Sequence, residues 1–178
     1  LITQGGKKLS TRSGRVILLE KVLDDAVALA KEQIEAKNPN LANKDQVAEE
    51  VGVGAVVFHD LKNERLNNFD FDLEEVVRFE GETGPYVQYS HARAMSILRK
   101  AGVTEIDPAK AYAVTDENAW ETLRLLGEFP ETVARAVAEY EPSVIAKYAI
   151  HLAKAFNKYY AHSKILVEDD QLEARLAL

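Results

Sequence analysis

Tyr86, Tyr89 and Arg93 recur at helical spacing near the middle of the chain. Positions i, i+3 and i+7 of a helix lie on one face, so these side chains should lie together. Aromatic rings stack on unpaired bases, and a guanidinium group can stack on a base or pair with a phosphate. The spacing therefore indicates a surface suited to single-stranded RNA. It also fits a helix that buries both tyrosines in a core and extends Arg93 to water.

A cationic stripe is predicted on the longest helix, which Pro142 should open. At 100° per residue, its large apolar residues share one arc and its basic residues share the opposite arc. Surface helices usually mix Glu with Lys, and this basic arc contains no acid, so the helix could bind a polyanion. The stripe could also bind an acidic protein or an anionic membrane surface. The apolar arc is typical of a core and not of a face that inserts into a membrane. The basic arc comprises Lys147, His151, Lys154, Lys158 and His162. Neither histidine has a second ligand at metal-binding spacing, and no metal site is predicted.

Basic, hydroxyl and glycine residues are concentrated between Gly5 and Arg15. Such a loop can lie close to a triphosphate, where its cations would counter the charge that develops as pyrophosphate leaves. The order of residues is not that of a Walker phosphate-binding loop. The same composition is also found in basic terminal segments that bind nothing.

The segment before Tyr86 is predicted to form a compact loop that leads directly into the helix. Gly81 and Gly84 allow backbone angles that other residues resist, and Thr83 can cap the helix. Pro85 suits the first helical position, and Gly102 should end the helix. The sequence thus couples a glycine-rich loop directly to the face that carries the tyrosines.

The rest of the chain is predicted to be helical, which places it in the all-α class. Helical patterns cover residues 18–34 and 44–62, and further helices should begin near Thr115 and Pro130. Residues 67–72 alternate Phe69 and Phe71 with polar residues, which predicts a short extended link. The boundary between domains should lie between residues 62 and 80. The pattern from Asp170 to Leu178 has no stop signal, so we expect its helix to be truncated.

Composition and charge exclude several classes of protein. The 178 residues contain no cysteine, which excludes disulfides, thiolate catalysis and zinc sites that use sulfur. No apolar run of about 18 residues and no signal peptide is present, so we expect a cytoplasmic protein. The net charge is −7, yet residues 1–19 and 142–167 contain basic residues and no acid. Two basic patches on an acidic body would favour one docking orientation for a polyanion.

The sequences of two segments resemble those of arginyl-tRNA synthetases. The first is the run from Phe79 to Arg93, with its Gly-Glu-Thr-Gly-Pro-Tyr core. The second is Lys8-Leu-Ser-Thr-Arg12, which occupies the place of the Lys-Met-Ser-Lys-Ser signature of class I synthetases. Leu9 replaces the usual Met, and Thr11 stands where the second lysine of the signature should be, so the role of that lysine is not transferred. The resemblance covers nearly the full chain.

The resemblance implies a portion of a ligase that attaches arginine to its tRNA through an arginyl-adenylate, using ATP and magnesium. The signature loop would occupy residues 1–16, a helical linker 17–70, and an anticodon-binding helical bundle 71–178. The nucleotide-binding fold would lie outside this chain, so we expect the chain alone to be inactive and to need no cofactor. The resemblance assigns Lys8, Ser10 and Arg12 to the ATP step. The residues expected to contact tRNA are Arg78, Glu82, Thr83, Tyr86, Tyr89, Arg93, Lys147, Lys154 and Lys158.

Two alternatives remain open at the level of sequence. The bundle could belong to a cysteinyl or glycyl synthetase with a related anticodon domain, which tRNA selectivity would distinguish. The chain could instead be a helical protein-interaction module, whose basic face would bind an acidic peptide as readily as RNA.

Overall fold

The computed structural model describes residues 2–5, 7–8, 17–107 and 109–178, with the backbone alone for residues 4, 7 and 8. Helices form most of this part of the chain, which confirms the all-α prediction. The helices are α1 (Leu19–Lys37), α2 (Lys44–Lys62), α3 (Leu73–Val76), α4 (Gly84–Ala101), α5 (Trp120–Gly127), α6 (Phe129–Glu139), α7 (Ser143–His162) and α8 (Leu172–Ala177). None of these described helices is long and apolar enough to cross a membrane.

Three short strands form a small sheet beside the first two helices. They are β1 (Ile2–Gln4), β2 (Lys7–Lys8) and β3 (Phe69–Asp70). The central strand β1 pairs with β2 antiparallel and with β3 parallel. The extended link expected at residues 67–72 therefore becomes a strand only where β1 pairs with it, at Phe69 and Asp70.

Helices α1 and α2 pack closely because small residues line their contact. Ala26 and Ala30 of α1 and Ala55 of α2 are fully buried. A Cβ atom at Gly52 would lie 2.6 Å from the backbone nitrogen of Val27. Gly52, which has no Cβ atom, therefore lets the two backbones approach.

Helix α7 is the centre of the remaining bundle. It packs against α2, α4, α5 and α6. A core of Ile97, Ala119, Tyr159 and Ile165 lies on one side, and Leu176 of α8 packs against it. A separate core joins Ala26 and Ala55 to residues 76 and 77. Helix α2 packs against α1 and also against α4 and α7. It therefore links the α1–α2 hairpin to the bundle.

The ends of α4 follow the sequence signals, with one correction. Thr83 Oγ1 accepts a hydrogen bond from the Tyr86 backbone N–H at 3.2 Å, and Gly102 ends the helix with a φ of 69°. Gly81 has a φ of 76°, as expected for a glycine-dependent turn. Gly84 does not have a positive φ, so the expectation of an unusual backbone angle there was wrong. A Cβ atom there would lie 2.9 Å from the Cβ of Phe58, so Gly84 is needed for close packing against α2.

His59 of α2 packs against the segment that carries β3. Its ring packs edge-on against Phe69 and Phe71, with centroids 5.4 and 5.6 Å away. Its Nε2 atom is buried and has no hydrogen-bond partner among the described residues. Burial lowers the pKa of His59 from 6.5 to about 4, and the charge of Lys62 adds to this effect while Asp60 opposes it.

We therefore expect stability to fall as the pH is lowered from 6.5 to about 4. In this range the unfolded chain binds a proton at His59 and the folded chain does not, so protonation favours unfolding. Urea unfolding at several pH values would measure the effect, and His59→Phe should reduce the slope of stability against pH. His162→Phe is the control, because His162 is exposed and the slope should be retained. Equal slopes in the parent and His59→Phe would contradict this account.

Candidate nucleic-acid interface

The loop before α4 is fixed at both ends by hydrogen bonds. The Thr83 hydroxyl donates to the Arg78 carbonyl at 2.6 Å while it caps α4. Lys62 Nζ of α2 donates to the Glu82 carbonyl at 2.8 Å. The Arg78 side chain pairs with Glu75 at 2.8 Å and is exposed. The loop therefore presents Arg78 and Glu82 to solvent from a defined backbone.

Asn157 of α7 organises the face of α4 that the sequence singled out. Its Nδ2 donates to the Tyr86 hydroxyl at 3.2 Å and to the Ser90 hydroxyl at 2.6 Å. Its Oδ1 accepts a hydrogen bond from the Arg93 guanidinium. One amide thus contacts three residues of α4 and fixes how α4 and α7 pack.

Arg93 lies between two tyrosine rings. Its guanidinium carbon is 4.7 Å from the centroid of Tyr89 and 4.6 Å from that of Tyr160. It also donates to the Tyr89 hydroxyl at 3.0 Å. Because both rings pack on this half-buried cation, Arg93 holds the rings in place.

The two rings remain accessible to a ligand. Tyr89 is 47% exposed and Tyr160 is 43% exposed, whereas Tyr86 is half-buried. Tyr86, Tyr89 and Arg93 do lie together, as their spacing predicted. Tyr86 packs inward and Tyr89 faces solvent, so the two tyrosines are not buried together in a core.

The lysines of α7 form an exposed stripe, but each pairs with an acid from another element. Lys147 contacts Glu64 at 2.6 Å, Lys154 contacts Glu82 at 2.7 Å, and Lys158 contacts Glu121 at 3.4 Å. The stripe is free of acids within α7, but acids from other elements lie beside it. The charge segregation inferred from the sequence was therefore misleading, because residues from the acidic middle of the chain fold against the basic segment.

These ion pairs perturb the acids without making the lysines unavailable. Hydrogen bonds from Lys154 and Lys147, with their charges, lower the pKa of the Glu82 and Glu64 carboxyls. Exposed pairs of this kind contribute little to stability, so a phosphate group could displace the carboxylates.

The tyrosine rings and the lysine stripe lie on different sides of α7. Tyr160 lies six positions after Lys154 in α7, which places the two side chains roughly 120° apart around the helix axis. The structure thus groups Tyr86, Tyr89, Arg93, Asn157 and Tyr160, and it separates this tyrosine cluster from the stripe.

The residues predicted for the ATP step lie mostly outside the described part of the chain. Ser10 and Arg12 are not described. Only the backbone of Lys8 is described, in β2, where it pairs with Thr3 of β1. Among the described residues, no group of three or more His, Asp or Glu side chains could hold a metal ion.

Sequence reasoning missed Asn157 and Tyr160. The adjacent Tyr159 and Tyr160 must point in different directions on a helix, and Tyr159 is the buried one. Two adjacent tyrosines in a helix therefore indicate that one of the two rings is exposed, and this signal could have identified Tyr160. No comparable signal marks Asn157, since its partners on α4 are at least 64 residues away in the chain.

Two family profiles match the chain. Residues 87–178 match the DALR anticodon binding domain, and residues 1–73 match the catalytic domain of class I tRNA synthetases of the arginine type. The first match covers α4 from Val87 onward, α7 and therefore most of the tyrosine cluster.

Curated relatives and solved structures agree with these matches. The chain is 79% identical to the arginine–tRNA ligase of Lactiplantibacillus plantarum and 77% identical to that of Ligilactobacillus salivarius, over all 178 residues. It spans about a third of the length of each, at 32% and 31%. This similarity favours the arginyl enzymes over the cysteinyl and glycyl enzymes that the sequence left open.

The fold is also that of known synthetases. Arginyl-tRNA synthetase of Thermus thermophilus superposes with a TM-score of 0.85 at 33% identity, covering 99% of this chain and 30% of that one. The Plasmodium falciparum enzyme shares the fold at 22% identity, with a TM-score of 0.74 over 90% of this chain and 29% of its own. Since the anticodon-domain profile matches more than half of the chain, the chain belongs to the DALR anticodon binding domain family, in the form found in the C-terminal region of arginyl-tRNA synthetases.

Proposed function

We propose that the α4–α7 face binds the anticodon arm of an arginine tRNA, as part of a ligase that attaches arginine to that tRNA with ATP. The observation that carries the proposal is Arg93, held between the exposed rings of Tyr89 and Tyr160 in a chain of an anticodon-binding family. Two ordered rings are a stacking platform for unpaired bases, and their order lowers the entropy that binding must remove.

The contacting residues have different roles in this proposal. Tyr89 and Tyr160 would stack on bases, whereas Tyr86, Thr83 and Arg93 would position the loop and the rings. Arg78 and Glu82 would meet the RNA from the preceding loop. Lys147, Lys154 and Lys158 would attract phosphates after exchanging their carboxylate partners.

The remaining parts of the chain are assigned by the same proposal. Residues 1–16 would form the signature loop, in which Lys8, Ser10 and Arg12 contact ATP, with magnesium assisting the adenylate step. Residues 17–70 would be the linker and 71–178 the anticodon domain, with α3 packing against α1 and α2 of the linker. The chain alone would carry no cofactor and would not activate arginine, since one loop cannot enclose both substrates. The ligase would act in the cytoplasm.

Binding of RNA hairpins to the chain tests the proposed function. The dissociation constant for the anticodon arm of an arginine tRNA is compared with that for the same arm carrying a different anticodon. We expect the arginine arm to bind at least about tenfold more tightly, a difference of about 1.4 kcal/mol. Equal affinities for both arms would contradict the proposal, even if both arms bound well.

The lysine stripe should affect affinity without affecting selectivity. Lys154→Ala and Lys158→Ala are expected to weaken binding of all hairpins alike. Each should also reduce the slope of log affinity against log salt by about 0.7 to 0.9, if the lysine neutralises one phosphate. Glu82→Gln should act in the opposite direction on affinity, because it releases Lys154 from its ion pair and removes a negative charge. Titrations at several salt concentrations measure both effects. A drop in selectivity in the lysine variants would show that the stripe contacts bases.

A further inference from the structure

Arg93 carries a positive charge that no carboxylate of the described residues neutralises. Its guanidinium donates to Asn157 Oδ1 and to the Tyr89 hydroxyl, and it packs on the rings of Tyr89 and Tyr160. All of these partners are neutral at physiological pH. The three lysines of the stripe differ in this respect, because each of them pairs with a glutamate. The tyrosine cluster therefore contains an ordered cation that keeps its full charge.

The hydrogen bonds of Asn157 fix which of its two amide atoms faces Arg93. Its Nδ2 lies 2.9 Å from the carbonyl oxygen of Ala153, which can only accept. The Ser90 hydroxyl already donates to the Tyr86 carbonyl at 2.8 Å, so it accepts from the same Nδ2. The amide oxygen is thus left to accept from the guanidinium. A carboxylate at this position would also accept from Arg93, but it would cancel the positive charge.

Arg93 retains hydrogen-bond donors for a ligand. A guanidinium group has five N–H donors in a rigid fork, and Arg93 directs donors only to Asn157 and Tyr89 among the described residues. The side chain is half-buried, so part of it remains open to solvent beside the two exposed rings. Guanidinium groups bind phosphate through paired hydrogen bonds. A base that stacks on either ring carries a phosphate on its own nucleotide, within the neighbourhood of this cation.

We propose that Asn157 is a positioning residue that leaves the charge of Arg93 uncompensated and presents it to a phosphate of the unpaired anticodon loop. The inference rests on the proposed function, because it takes the α4–α7 face as the surface that receives this loop. The phosphate belongs to a nucleotide whose base stacks on Tyr89 or Tyr160. Arg93 thereby makes an ionic contact that the lysine stripe, on another side of α7, cannot make.

Asn157→Asp tests the proposal, because it keeps the shape of the side chain and puts a carboxylate beside Arg93. We expect the slope of log affinity against log salt to fall by about 0.7, the contribution of one phosphate contact on a single strand. Between 1 M and 0.1 M salt, a slope of about 0.7 corresponds to about fivefold weaker binding at the lower concentration. The change should appear with the arginine arm and with the arm that carries a different anticodon. It should be absent for a duplex of the stem alone, which has no unpaired loop.

Two further variants serve as controls. Asn40→Asp makes the same chemical change, and the same change in net charge, at an exposed residue in the turn between α1 and α2. Its affinity and salt slope should equal those of the parent. Ser90→Ala removes one hydrogen bond of Asn157 without adding a charge, so its salt slope should also be retained. Circular dichroism establishes that each variant is folded.

Weaker binding of Asn157→Asp with an unchanged salt slope would overturn the proposal, since it would show that the amide acts through packing alone. If Asn157→Asp does not fold, Arg93→Gln removes the same charge and leaves the amide of Asn157 in place. An unchanged slope in that variant would overturn the proposal equally. A parent that distinguishes the two arms while the slope stays constant would contradict this inference alone, whereas a parent that binds both arms equally would contradict the proposed function.

Discussion

Replacing Gly52 with alanine is expected to lower the free energy of unfolding by about 2 kcal/mol. The new Cβ atom would lie 2.6 to 2.8 Å from backbone atoms of Ala26 and Val27, which cannot rotate away as a side chain could. Helices α1 and α2 would have to separate, and the fully buried alanines between them would pack less tightly. The gain in helix propensity from glycine to alanine, about 1 kcal/mol, is too small to offset this cost.

Gly127→Ala is the matched control for this substitution. Gly127 is the last residue of helix α5, and no neighbouring atom lies within 4 Å of a Cβ atom built there. Chemical denaturation of both variants would compare the two sites. A Gly52→Ala variant as stable as Gly127→Ala would contradict the close packing of the hairpin.

Tyr89→Ala is expected to weaken binding of the arginine anticodon arm by about 1 to 3 kcal/mol, the usual effect of removing one base-stacking ring. The variant also removes one of the two rings that pack on Arg93, so Tyr160 should become less ordered. Both effects act on base recognition, and selectivity among anticodons should fall together with affinity. Fluorescence anisotropy with the arginine arm and with the arm that carries a different anticodon measures the change.

Two variants separate base stacking from other effects. Tyr140→Ala removes a ring that is 83% exposed at the turn before α7, and it should bind like the parent. Tyr86→Phe removes only the hydroxyl that accepts from Asn157, so it tests positioning while it keeps the ring. If folded Tyr89→Ala bound both arms as the parent does, the stacking role of this face would have to be abandoned.

Local sequence signals predicted the helical framework well. Thr83, Gly102 and Pro142 act within one turn of the chain, so their effects depend little on tertiary structure. The start of α5 shows the limit of this reasoning, since Asp116 rather than Thr115 caps the 3₁₀ turn Glu117–Ala119 that leads into it. The helical face with Tyr86, Tyr89 and Arg93 followed from spacing alone.

Contacts between distant residues could not be predicted from spacing. Asn157 meets α4 across 64 or more residues, and Glu64, Glu82 and Glu121 reach the α7 lysines from three other parts of the chain. The role of Gly84 was also missed, because its constraint comes from Phe58 on another helix. These features depend on which helices pack together, and the pattern within one helix carries no information about that.

Photo-crosslinking from the anticodon loop tests the central claim most directly. An arginine anticodon arm with thiouridine in its loop is bound to the chain and irradiated, and the crosslinked peptides are identified by mass spectrometry. The proposal predicts crosslinks within α4 and α7 at or beside Tyr89, Arg93 and Tyr160, which disappear when an unlabelled arginine arm competes. Specific crosslinks confined to α6 or to the α1–α2 hairpin, with none on the α4–α7 face, would contradict it.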